Sequence, residues 1–129
     1  MREENLNKTI LIAEDEPALL RVLSDSFQDA GFKVLEAEDG QKALDLALSS
    51  HPDCLLLDIL MPKMDGLTVI EKLRQDEWGK TAYIVVLTNF SDSQKVAKAT
   101  ENYVFDYLVK QDWKIEDIVK EIKTKLNIK

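Results

Sequence analysis

An apolar run that ends on a carboxylate constrains the fold of this chain more than any other stretch. Cys54 to Leu57 are consecutive apolar residues, Asp58 follows them, and Pro62 and Gly66 mark where the chain turns away. A run of this kind is typical of a strand buried on both faces of a parallel sheet. A carboxylate at its carboxyl end would face the crevice where open α/β sheets bind ligands, which makes Asp58 a candidate functional residue.

Four further stretches have the composition of strands, and segments with helical periodicity separate them. The predicted strands are Thr9–Ala13, Lys33–Ala37, Cys54–Asp58, 83–88 and 104–109. The predicted helices run from Pro17 to a stop at Gly31, from Asp39 and Gly40 to His51 and Pro52, from Leu67 to about Asp76, over 91–102, and from Ile115 to Leu126. Segment 91–102 has few apolar anchors, so we expect a loosely held helix there. The alternation predicts an α/β fold, a doubly wound parallel sheet with right-handed crossovers.

Composition limits the class of protein. The chain has 129 residues, 45% of them hydrophobic, which suits a single domain over 1–129 with a polar extension at 1–7. It contains no signal-peptide pattern and no apolar run of membrane-spanning length, so we expect a cytoplasmic protein that does not bind membranes. The lone Cys54 excludes an internal disulfide. A net charge of −7 makes direct nucleic-acid binding unfavourable.

Polar residues follow four of the predicted strands. Because the carboxyl ends of parallel strands meet at one edge of a sheet, we expect five side chains to gather there: Glu14, Asp15, Asp58, Thr88 and Lys110. The repulsion among three carboxylates calls for a cation. An all-oxygen ligand set without His or Cys is the environment of Mg²⁺, which takes one or two carboxylates together with phosphate oxygens.

With Mg²⁺ bound, Asp58 becomes a candidate nucleophile for phosphoryl transfer, forming an acyl phosphate. The charge on the transferring oxygens must be met by the metal on one side and by a cation and a hydroxyl on the other. Lys110 and Thr88 can fill these two roles.

The combined motifs resemble the receiver domain of two-component response regulators, over nearly the whole chain from Lys8 to Leu126. The matching pieces are Glu14-Asp15, Asp58 before the segment 61–66, Thr88, and the segment 106–110. The resemblance implies a flavodoxin-like (βα)5 fold with strand order 2-1-3-4-5, which is one of the two common strand orders of doubly wound sheets. It also implies that Asp58 accepts a phosphoryl group from a sensor histidine kinase or a histidine phosphotransfer protein, in a domain that catalyses only its own phosphorylation and dephosphorylation.

The resemblance further implies individual roles. Mg²⁺ would be held by Asp15, Asp58 and the backbone carbonyl of Leu60, with Glu14 supporting the ion indirectly. Thr88 would turn toward the phosphoryl group and Tyr107 would rotate inward. These movements would remodel one surface of the domain, which contacts a downstream protein target. That surface is made by the predicted 91–102 helix, the predicted 104–109 strand and the last predicted helix. The resemblance also allows a homodimer that forms on phosphorylation.

Three positions depart from the family pattern. Asn89 follows Thr88 where Ala or Gly is usual, which predicts altered phosphotransfer or hydrolysis rates. Gln111 stands where a proline usually follows the lysine. Because cis peptide bonds occur almost only before proline, the usual reason to expect one after Lys110 is absent. Tyr103 occupies a customary glycine position, and Asn102 is expected to cap the predicted 91–102 helix instead.

Two other functions conflict with the sequence, and a third remains. A flavodoxin-type cofactor module needs a phosphate-binding loop after the first strand, and Glu14-Asp15-Glu16 would repel a phosphate. A phosphatase with an aspartate nucleophile would carry an Asp-x-Asp arrangement, whereas Ile59 and Leu60 follow Asp58. The remaining alternative is a degenerate receiver that binds a protein partner without phosphorylation. His51, Trp78 and Trp113 are expected to have structural roles only.

Overall fold

A five-stranded parallel sheet forms the centre of the protein. The computed structural model describes residues 8–89 and 106–126, with Thr88 and Asp106 described by their backbone alone. The strands are β1 (Thr9–Ala13), β2 (Lys33–Ala37), β3 (Cys54–Asp58), β4 (Ile84–Thr88) and β5 (Asp106–Val109). They lie in the order β2-β1-β3-β4-β5, which confirms the predicted flavodoxin-like order.

The described helices lie close to their predicted positions. They are α1 (Pro17–Asp29), α2 (Gly40–Ser50), α3 (Gly66–Arg74) and α4 (Ile115–Lys125), with 3-10 turns at Gly79–Thr81 and Lys110–Asp112. The third helix ends at Arg74 rather than about Asp76, because the Asp76 carboxylate accepts hydrogen bonds from the N–H groups of Trp78 and Gly79 and forms a turn. The predicted 91–102 helix, residues 102–105 and the extension 1–7 lie outside the described residues.

Helix ends follow the local sequence signals. Pro17 occupies the first turn of α1. Asp39 caps α2 and Asp65 caps α3, each through a hydrogen bond of 2.8 Å that its carboxylate accepts from a backbone N–H three residues on. His51 ends α2 in a left-handed conformation with φ 48°, and its ring stacks on Trp78 with centroids 4.5 Å apart. These contacts confirm the structural role that was expected of His51.

Two apolar clusters cover the two faces of the sheet. Helices α2 and α3 pack on the face that contains Leu55 and Leu57, whereas α1 and α4 pack on the face that contains Cys54 and Leu56. Every residue of β3 is buried, as the apolar run predicted. Because full burial of one leucine side chain stabilises a protein by about 1.5–3 kcal/mol, β3 is firmly held from both sides and carries Asp58 at a fixed place.

The strand register aligns the carboxyl ends at one edge. Ala13 pairs with Leu57, so Glu14 lies beside Asp58, and Thr88 pairs with Val109, so Lys110 follows at the same level. Strands β1 and β3 are the neighbours between which the connections change direction, which is where doubly wound sheets place their ligand crevice. Within the described part of the chain, no helix is long and apolar enough to cross a membrane.

Candidate functional site

Three carboxylates from two neighbouring strands converge at the carboxyl edge of the sheet. Glu14 and Asp15 follow β1, and Asp58 is the last residue of β3. One carboxylate oxygen from each residue lies within 4.8 Å of the others, with Glu14 and Asp58 buried and Asp15 exposed. The predicted acidic residues are therefore close enough to share one ion.

The donor set of this cluster suits a hard divalent cation. All of its side-chain ligand atoms are carboxylate oxygens, the donors that Mg²⁺ prefers. The exposed Asp15 leaves one side of the cluster accessible to solvent, so an ion held there could keep part of its water shell. The residues present thus fit the Mg²⁺ that the sequence predicted.

Lys110 places its ammonium group among the carboxylates. Its Nζ lies 3.0 Å from Glu14 Oε1, 3.3 Å from Asp58 Oδ2 and 3.3 Å from Glu16 Oε1. The Lys110 side chain is only 12% exposed. The lysine predicted for the site is therefore in contact with the candidate phosphoacceptor, and Glu16 is a further partner that the sequence did not indicate.

Burial changes the ionisation of the carboxyl groups. Burial and the neighbouring Asp58 charge raise the pKa of Glu14 from its ordinary 4.5 to about 7, although the Glu16 N–H and Lys110 oppose this. Burial also raises the pKa of Asp58, against the opposing effect of Lys110. One ammonium does not compensate for the burial of these carboxylates, which is an electrostatic reason for the cluster to bind a cation.

The carboxylates in turn hold Lys110 in its charged form. Burial alone would lower the pKa of Lys110, but its 3.0 Å contact with Glu14 and the charges of Asp58 and Glu14 outweigh burial and raise this pKa. The lysine is therefore protonated throughout the physiological range and can donate hydrogen bonds to anionic oxygens.

The loop after β3, residues 59–65, folds tightly back on the strand. The N–H of Gly66 donates a hydrogen bond of 2.8 Å to the carbonyl of Ile59. A Cβ atom at Gly66 would lie 2.5 Å from the carbonyl oxygen of Asp58, so only glycine allows this approach. Leu60, whose backbone carbonyl is a predicted Mg²⁺ ligand, is 55% exposed.

The same loop is tied to the start of α2. The carbonyl of Pro62 accepts hydrogen bonds from the N–H of Met64 at 2.7 Å and from that of Gly40 at 3.3 Å. Lys63 adopts a left-handed conformation with φ 68°, and its Nζ lies 3.6 Å from the Asp39 carboxylate. Sequence reasoning identified the helix start at Asp39 and Gly40 but not this contact, because the two segments are distant in the chain.

The expected switch residues lie on the two strands at the other side of Asp58. Thr88 ends β4, and its side chain lies outside the description. Tyr107 on β5 is 40% exposed. Asn89 is half-buried directly after Thr88, and Gln111 lies in the 3-10 turn that follows β5. No peptide bond among the described residues is cis, as expected from the replacement of proline by Gln111.

Comparison with known families identifies the chain. The response regulator receiver domain matches residues 10–123. The chain belongs to this family. A receiver domain is a signalling domain rather than an enzyme of the usual kind.

Several known proteins are similar to this chain. The DNA-binding dual master transcriptional regulator RpaA of Synechocystis is 33% identical over 117 residues, which are 91% of this chain and 48% of RpaA. This receiver therefore spans about half the length of the curated relatives it matches. The receiver domain of AraT, a response regulator from Geobacillus stearothermophilus, has a TM-score of 0.74 at 34% identity and covers 93% of this chain and 95% of its own.

One solved receiver carries a metal ion in the corresponding fold. The receiver domain of the sensor histidine kinase PA1611 from Pseudomonas aeruginosa has a TM-score of 0.81 at 25% identity, and the match covers 91% of this chain and 95% of that domain. That structure holds a magnesium ion coordinated in its active-site cleft.

Proposed function

We propose that this receiver accepts a phosphoryl group on Asp58 from a histidine kinase or a histidine phosphotransfer protein, and that phosphorylation controls its contact with a downstream protein. The observation that carries the proposal is the position of Asp58, buried at the end of the central strand with Lys110 Nζ 3.3 Å from its Oδ2. Without a chemical role, a carboxylate buried there would only destabilise the fold.

The transfer exchanges one bond for another. A carboxylate oxygen of Asp58 attacks the phosphorus of a phosphohistidine, a P–O bond forms and the P–N bond breaks, and the leaving imidazole nitrogen takes up a proton. Lys110 engages Oδ2 of Asp58, which orients the carboxylate and places a cation beside the transferring oxygens. In a separate hydrolysis step, water attacks the phosphorus of the acyl phosphate, the bond between phosphorus and the Asp58 oxygen breaks, and inorganic phosphate leaves as the carboxylate is restored.

Asp15 and Asp58, with the Leu60 carbonyl, are the groups that would hold Mg²⁺, and Glu14 would support the ion indirectly. When bound, the ion neutralises charge on the transferring phosphoryl oxygens. The support for this assignment is the convergence of three carboxylates within 4.8 Å and the magnesium in the similar receiver of PA1611.

The response to phosphorylation is proposed to run through Thr88 and Tyr107. In the described structure Tyr107 is 40% exposed, which places it on the surface that the proposed inward rotation would change. This movement would change the surface made by the predicted 91–102 helix, β5 and α4 (Ile115–Lys125), which contacts the protein target. A phosphorylation-dependent homodimer would use the same surface, and the cytoplasmic location expected from the sequence remains a prediction.

Intact-mass spectrometry tests the phosphorylation. The chain and its Asp58→Asn variant are incubated with a small acyl-phosphate donor, with and without Mg²⁺. We expect one phosphoryl adduct that requires both Asp58 and Mg²⁺. If no condition yields an adduct, the chain is a degenerate receiver that binds its partner without phosphorylation. The first substitutions to test would then be Asn89→Ala and Gln111→Pro, which restore the residues usual in the family.

A further inference from the structure

Glu16 makes a contact that its place in the sequence does not explain. It is the residue before α1 (Pro17–Asp29), where a short polar side chain such as that of Asp or Ser usually accepts a hydrogen bond from an N–H group of the first helical turn. Its side chain makes no such capping bond. Instead, Glu16 Oε1 lies 3.3 Å from Lys110 Nζ, across 94 positions of sequence.

The three carboxylates around Lys110 differ in how easily they can release it. Glu14 is 1% exposed and Asp58 is 5% exposed, so separating either from the ammonium would leave a buried charge without compensation. Glu16 is 62% exposed, so water can replace the ammonium at its carboxylate with little loss of free energy. Glu16 is therefore the partner that Lys110 exchanges most readily.

An incoming phosphoryl group competes with these carboxylates for the ammonium. Lys110 donates hydrogen bonds to Asp58 and Glu16, and its Nζ also lies 3.0 Å from Glu14 Oε1. A phosphoryl oxygen on Asp58 would draw the ammonium toward itself, and the exposed Glu16 is the carboxylate that Lys110 leaves most easily.

We propose that Glu16 is a positioning residue that acts through Lys110 and sets the rate of phosphorylation. It holds the ammonium beside Asp58 in the unphosphorylated chain, and the phosphoryl oxygen then takes its place. Because the ammonium of Lys110 leaves Glu16 as it engages the phosphoryl oxygen, this ion pair slows phosphoryl transfer to Asp58. This inference rests on the proposed phosphorylation of Asp58.

Three variants separate the contact from the charge. Glu16→Gln removes the charge and the ion pair. Glu16→Asp keeps the charge but shortens the side chain, and aspartate at this position favours capping of α1 instead. Glu38→Gln is the matched control, because Glu38 is exposed after β2 at the same edge of the sheet and its substitution changes the net charge equally.

The measurement is the rate of adduct formation with a small acyl-phosphate donor at saturating Mg²⁺, followed by intact mass. We expect Glu16→Gln and Glu16→Asp each to accelerate the reaction about threefold, the factor that an exposed ion pair of ordinary strength can supply. Glu38→Gln should match the wild type. The advantage of the Glu16 variants should shrink as salt is raised, because exposed ion pairs are screened, whereas a purely structural effect would not follow the salt concentration.

The outcomes distinguish this inference from the function on which it rests. Equal acceleration by Glu38→Gln and Glu16→Gln would show that bulk charge, not the contact, sets the rate, and would overturn the inference. Glu16 variants that react at the wild-type rate or more slowly would overturn it too, while leaving phosphorylation of Asp58 intact. Failure of the wild type to form any adduct that depends on Asp58 would overturn both.

Discussion

At the scale of single residues, the site is built from charges that burial disfavours. Glu14 and Asp58 are buried carboxylates, and the ammonium of Lys110 lies between them. The raised pKa of both carboxyl groups means that the folded chain retains protons there that the unfolded chain releases. Such groups lower the stability of the metal-free fold when they ionise.

This linkage predicts a pH dependence of stability. The pKa of Glu14 is 4.5 in its ordinary state and about 7 in the fold, so its stabilising contribution is complete below pH 4.5 and is lost as pH rises to about 7. We expect wild type to lose on the order of 3 kcal/mol relative to Glu14→Gln over this interval in metal-free buffer. Urea unfolding of both proteins at several pH values measures this difference, and two parallel curves would contradict the assignment to Glu14.

A buried hydroxyl in α1 (Pro17–Asp29) offers a test unrelated to the site. Ser24 is 2% exposed, and among the described residues its Oγ has no hydrogen-bond partner. Ser24→Ala removes the unpaired polar group and favours the helix, so we expect stabilisation by about 1 kcal/mol. Ser26→Ala in the same helix, where the side chain is only half-buried, should give the smaller gain of helix propensity alone. Urea midpoints that rank the two variants in the opposite order would refute this.

At the scale of elements, the loop after β3 depends on its contact with the start of α2 (Gly40–Ser50). A Cβ atom at Gly40 would lie 1.7 Å from the carbonyl oxygen of Met64, so α2 could not begin there without moving the loop. Since this loop contains the Leu60 carbonyl, the helix start supports the proposed metal site from a distance of 18 residues along the chain, counted from Gly40 to Asp58.

Gly40→Ala should therefore weaken Mg²⁺ binding as well as stability. We expect a loss of about 2–3 kcal/mol in unfolding free energy from the forced displacement, together with a lower Mg²⁺ affinity by calorimetric titration. Gly79→Ala is the matched control. Its Cβ would lie 1.9 Å from the Leu73 carbonyl, but it precedes β4 at the opposite end of the sheet. Equal Mg²⁺ affinities for both variants would show that the contact between Gly40 and the loop does not support the proposed Mg²⁺ site.

At the scale of the whole molecule, the site opposes the stability of the fold that holds it. Two apolar clusters cover the sheet and fix the strand ends, and the same fixed ends force like charges together. The core thus supplies the free energy that keeps the acidic residues in place.

The melting temperature should report this opposition. In metal-free buffer Asp58→Asn should raise it by about 3–5 °C, because one of the repelling charges is removed. Added Mg²⁺ should stabilise the wild type more than the variant, because the ion binds the folded state only. Glu38→Gln should change neither result. A clear drop in melting temperature for Asp58→Asn in metal-free buffer would mean that Asp58 has a structural role.

Much of the fold was predictable because its signals are local. The apolar run before Asp58, the proline at the start of α1 and the aspartates that cap α2 and α3 each act within a few residues, so their elements appear where the pattern places them. The gathering of Glu14, Asp58 and Lys110 was predictable too, because a parallel sheet aligns all of its carboxyl ends.

Distances and burial between remote segments were decided only by the tertiary structure. The sequence determined by itself that carboxylates and a lysine follow the strands of a parallel sheet. Only the packed fold decided that Glu16 contacts Lys110, that Gly40 contacts the loop after β3, and that burial raises the pKa of Glu14. The physical reason is that these properties depend on the close approach of atoms and the exclusion of water, which no local pattern of residues specifies.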